Sequence, residues 1–106
     1  ISFFKNGENA DALSIISKAL EIVATDADMW ILRSKINYST LLYDNSIIDI
    51  NKALTIEEDS EAYYVRCLDY WYLDKKEQAC EDLEKAKSLG WTDFPADIVN
   101  YCRKEE

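Results

Sequence analysis

The sequence predicts an all-α fold: an α-α superhelix in which antiparallel helical hairpins stack as a solenoid and a C-terminal helix caps the end. Three observations predict it. The stretch MWILRSKINYSTLLYDNSIIDINKAL and the stretch AYYVRCLDYWYLDKKEQACEDLEKAK repeat the same order of large, small and charged residues, at a spacing of about 34 residues. Only two Gly and one Pro occur in 106 residues, which suits packed helices and argues against a many-turned β fold. Between residues suited to capping, apolar side chains recur every three or four positions, the spacing of one helix face.

Taken in order, Ile1 to Lys5 reads as the end of a helix, broken at Asn6-Gly7. Asn9 is a candidate N-cap for a helix from Ala10 to about Thr25, with Leu13, Ile16, Leu20 and Val23 on one stripe. Asp26 caps a helix running from Ala27 to about Leu41, and Asp44 caps its partner through Leu54 or Ile56. The acidic joint Glu57-Glu58-Asp59 follows, and Asp59 or Ser60 opens a helix ending near Leu73. Asp74 with Glu77 has capping-box spacing and starts a helix to Leu89, which Gly90 ends in a left-handed conformation. Thr92 or Asp93, with Pro95, begins a last helix reaching about Arg103.

Short connections make consecutive helices antiparallel neighbours, and each hairpin completes its core only by stacking on the next. Trp30 corresponds to Tyr63, Arg33-Ser34 to Arg66-Cys67, Ile50 to Leu83, and Lys52-Ala53 to Lys85-Ala86. Ala12, Ile16 and Lys18-Ala19 form an earlier, partial copy. The joint pattern resembles the tetratricopeptide repeat family. The unit from Ser60 to Trp91 fits it well through Tyr63, Cys67, Tyr70, Ala79, Leu83 and Ala86. The unit from Ala27 to Asp59 departs from it, with Asn37 where Tyr is usual and Ser46 where Ala is usual. The resemblance implies one domain over residues 1–106: a partial repeat at 1–26, a degenerate one at 27–59, a well-formed one at 60–91 and a capping helix at 92–106. ACEDLEKAKSLGW, followed by a short helix ending in NYC, resembles the C-terminal ending of bacterial members, where the last helix covers the apolar face of the final hairpin. Because the chain begins at Ile1 and not Met, its natural start is expected upstream.

The net charge of -9 repels phosphate backbones and anionic lipid, so nucleic acid is not an expected partner and a basic or apolar protein segment is. No apolar run approaches a membrane-spanning length, so membrane insertion is not expected. No histidine is present, and the three cysteines form no CxxC pair, so neither a metal site nor a cofactor is expected. Without a Gly-rich phosphate loop or a nucleophile–base pair, a non-enzymatic interaction module is the expectation. The acids at helix starts read as caps and solvated joints.

By its register, the resemblance implies a concave face made by the first helix of each hairpin. That face would carry Asp28, Ile31, Lys35, Tyr38 and Ser39 from one unit, then Glu61, Tyr64, Leu68, Trp71 and Tyr72 from the next, with Phe4 contributing. Helix spacing independently puts Tyr64, Leu68, Trp71 and Tyr72 on one face, separate from Tyr63, Cys67 and Tyr70, which pack on the partner helix. The expected binding groove is therefore Ile31, Lys35, Tyr38, Tyr64, Leu68, Trp71 and Tyr72. The competing reading is that neighbouring helices, or residues before Ile1, cover these side chains. A further alternative is self-assembly into a homo-oligomer through an apolar N-terminal edge at Phe3, Phe4 and Leu13.

Arg33 and Arg66 occupy equivalent places and read as interhelix ion pairs or packed stems in preference to anion contacts. If α-helical capping sets the last two helices antiparallel, Cys80 and Cys102 meet at one end of the stack. Two readings then stand: a disulfide worth roughly 3 kcal/mol, or three reduced core thiols, with Cys67 inert in both. The compartment follows that choice, cytoplasmic if reduced and periplasmic or cell-envelope if bridged.

Overall fold

The computed structural model describes residues 6–22 and 26–103, with side chains described at 12–20 and 26–103. The described residues form six α-helices: α1 (Asn6–Ile22), α2 (Ala27–Ser39), α3 (Tyr43–Ile56), α4 (Ser60–Tyr72), α5 (Lys76–Ser88) and α6 (Ala96–Arg103). The expectations for Ile1–Lys5, including Phe3 and Phe4, and for Val23 lie outside these residues.

Helices α2 and α3 pack as one antiparallel hairpin and α4 and α5 as the next. Helix α3 leans on α4 as α1 leans on α2, α2 also reaches α4, and α6 rests on α5. The small residues explain the close approach. Ala53, Ala62, Ala79 and Ala86 are fully buried, as are Ser34, Ser46 and Cys67. Ile50, also fully buried, packs in one apolar cluster with Ala53 and Ala62, and burying such a side chain stabilises the fold by about 1.5–3 kcal/mol.

Asp26 and Asp59 cap their helices as the sequence predicts, each carboxylate accepting from the backbone N–H two residues on, at 3.0 Å from Asp28 and 2.8 Å from Glu61. Asp44 and Asp74 do not cap. Helices α3 and α5 are preceded by Leu42 and Lys75, neither of which makes a side-chain cap bond. The physical reason is the tight turn inside each hairpin. The N–H of Leu42 returns to the carbonyl of Asn37, and that of Lys75 to Tyr70, each at 2.8 Å. This 6→1 closure forces one residue into the left-handed region, and Leu41 (φ 68) and Asp74 (φ 61) take that role. Asp44 moves into the first turn of α3, where its charge still complements the helix dipole. Gly90, at φ 105, ends α5 as predicted. Asn6-Gly7 does not break a helix but lies in the first turn of α1, where backbone N–H groups lack intrahelical partners anyway.

Candidate binding surface

The face of α4 expected to form an open groove is mostly closed. Ile31, Tyr38 and Leu68 are buried core residues, because α4 packs across α2 and the C-terminal segment folds back over α4. Tyr64 stacks against Trp91 with centroids 4.7 Å apart and meets Phe94 edge-on at 5.7 Å. Trp71 meets Tyr101 edge-on at 5.5 Å and carries the Lys76 ammonium over its ring at 4.6 Å. Lys35 is engaged in an ion pair with Glu61. Burial raises the Tyr64 hydroxyl above the ordinary tyrosine range. Of the seven groove residues, Tyr72 alone stands substantially open, at 56% exposure.

The cap closes this face through Ile98, which is buried against Leu68, Ala79 and Leu83 in one apolar cluster. Cys80 and Cys102 are joined as a disulfide, their Cα atoms 5.4 Å apart, and Cys67 is a buried free thiol that burial pushes up to about 12.

Tyr72 belongs to a different surface, at the rim where the first helix of each hairpin ends. The Tyr43 ring stacks on Tyr72 at 5.4 Å and 13°, and both touch the buried Tyr38 ring beneath, at 5.7 and 6.0 Å. Leu41 and Leu42 immediately precede Tyr43 and are 70% and 45% exposed. Asp44 and Asp74 flank the patch and are exposed. Leu41, Leu42 and Tyr43 were not among the residues expected from sequence. The available signal was the leucine pair at a hairpin turn, where Gly or Asn is the usual choice.

The arginines form repeated ties. Arg33 donates to both carboxylate oxygens of Asp49, at 2.9 and 2.8 Å, and to Ser17 on α1 at 3.3 Å. Arg66 repeats the arrangement, donating to Asp82 at 2.8 and 2.8 Å and to Asn51 on α3 at 2.7 Å. Each guanidinium thus joins its own hairpin to the preceding helix while lying against an aromatic ring, Trp30 at 5.0 Å and Tyr63 at 5.5 Å. Asp49 accepts a further bond from Asn37 at 3.0 Å, which gives that departure from the repeat a physical role. A cleft of about 250 Å³ over this tie is lined by Leu13, Ser17, Asn45 and Ile48. Its charged floor is the paired Arg33 and Asp49.

Ser46 and Asp69 are a second pair of departures. Asp69 stands where the preceding unit has Ile36, and Ser46 where the flanking copies have Ala12 and Ala79. Asp69 is 0% exposed; its Oδ2 accepts from Ser46 at 2.5 Å, and its Oδ1 has no partner among the described residues. Burial pushes this carboxyl up to about 8, against the Ser46 bond and assisted by Asp44 and Asp82.

No described helix is long and apolar enough to cross a membrane. No family model matches the chain, and no curated protein matches it.

Proposed function

We propose that this chain is a non-enzymatic protein-binding module of tetratricopeptide type. It holds an apolar segment with basic flanks against the rim formed by Leu41, Leu42, Tyr43 and Tyr72. One observation carries the reading: Leu41 is a branched aliphatic residue held at φ 68 and 70% exposed. Backbone strain of that kind costs on the order of 1 kcal/mol, and the exposed side chain recovers none of it by burial. Such costs collect where a surface is used. Aromatic and aliphatic anchors supply the contact area, and the flanking acids with the chain's charge of -9 favour a cationic partner.

The test uses peptides with a leucine- and aromatic-rich centre, flanked by either Lys/Arg or Asp/Glu. The basic-flanked set is expected to bind in a salt-sensitive manner, with Tyr72→Ser weakening it at least about tenfold. Leu41→Gly should weaken it similarly while raising stability by about 0.5–1 kcal/mol, because glycine adopts the left-handed turn without strain. Equal binding of both peptide sets, or no effect of either substitution, would overturn the proposal.

A further inference from the structure

We propose that the Cys80–Cys102 disulfide is a reducible latch, holding the segment Trp91–Arg103 as a lid over the α4 face of Tyr64, Leu68 and Trp71. In the oxidised chain the C-terminal segment covers Tyr64 and Trp71 of that face, and reduction lets the lid leave.

The grip of the lid is narrow. Helix α6 has eight residues, too few to persist as a helix without packing. Ile98 is its one buried residue, supplemented by the ring contacts of Trp91, Phe94 and Tyr101. The covalent tie closes a sequence separation of 22 residues, enough to shift the opening equilibrium by roughly two orders of magnitude.

The latch is also reachable. Cys102 lines an open surface cleft of about 130 Å³ together with Lys87 and Arg103. A thiolate of a dithiol reductant attacks the Cys102 Sγ there. The S–S bond breaks, and Cys80 leaves as a thiolate that takes up a proton. The second thiolate of the reductant then attacks the mixed disulfide and releases Cys102, which is protonated in turn. Two electrons and two protons pass to the protein, and the dithiol becomes a disulfide. Cys67 does not intrude, because burial keeps it a thiol and it has no solvent access. The rim of Leu41 and Tyr72 takes no part, so the latch stands or falls separately from partner binding there.

Hydrogen exchange on the full chain, with and without dithiothreitol, tests this. Reduction is expected to cut amide protection across 96–103 by roughly a hundredfold, while α4 and α5 keep theirs. Fluorescence of bis-ANS should rise on reduction, and the Cys80→Ser/Cys102→Ser double variant should behave as the reduced chain without any reductant. Unchanged protection at 96–103 would overturn the proposal. So would loss of protection in α4 and α5 together with α6, or a lid that opens with no gain in bis-ANS signal.

Discussion

Asp69→Asn is expected to raise stability strongly at pH 8 and to change it little near pH 4. In the folded chain the carboxyl titrates near 8, against an ordinary value of 3.8. Between those two values the folded state holds a proton that the unfolded state has released. The unfolded state therefore binds fewer protons, and stability falls as pH rises through this window. It levels off below about 4 and above about 8. At about 1.4 kcal/mol per pH decade, the loss across the window is on the order of 5 kcal/mol. Asparagine keeps an acceptor for Ser46 and carries no charge to desolvate, so its stability should be nearly flat over the same range. Urea unfolding at pH 5, 6.5 and 8 checks this. Parallel pH profiles for the two proteins would mean that Asp69 is hydrated or paired in solution.

Arg66→Ala is expected to cost about 2–4 kcal/mol. The substitution leaves the buried carboxylate of Asp82 without its two charge-assisted bonds and detaches α3 at Asn51. Burial already raises the Asp82 carboxyl, and Arg66 pulls it back. Unpaired, it would take up a proton more readily, and part of the lost stability should return at acid pH. Replacing both residues by apolar ones of similar size should recover most of the loss, since the penalty lies in stranding one charge. A cost under about 1 kcal/mol for Arg66→Ala alone would place the pair with ordinary surface ion pairs.

Helical class, hairpin order and the cap were legible because they depend on local signals: the Asp26 and Asp59 caps, Gly90, and the recurring alanines. The ion-pair reading of Arg33 and Arg66 was legible too, since equivalent positions in a repeat meet equivalent neighbours. The partners Asp49 and Asp82 were not singled out, as acids are abundant in this chain. The fate of the α4 face was not legible. That helix carries apolar side chains on two faces, and which one stays open depends on where the short 89–95 connection carries Trp91 and Phe94. Residue 41 shows a related limit. Leucine is not a residue that itself favours the left-handed region, and the hydrogen bond from Leu42 to Asn37 across the turn imposes it. The irregularities Asn37 and Ser46 read from sequence as departures from the repeat, and Asp69 was not singled out. All three are partners, to Asp49 or to each other.

Thermal unfolding of Trp71→Ala beside Tyr72→Ser, both in the oxidised chain, tests most directly whether the C-terminal segment closes the α4 face. Trp71 packs under Tyr101 and Lys76, so its truncation should cost about 3–5 kcal/mol and lower Tm by more than about 10 °C. Tyr72 is an exposed rim residue, and its substitution should shift Tm by less than about 3 °C. Equal, small shifts for both would contradict the closed face and return Trp71 to an open groove.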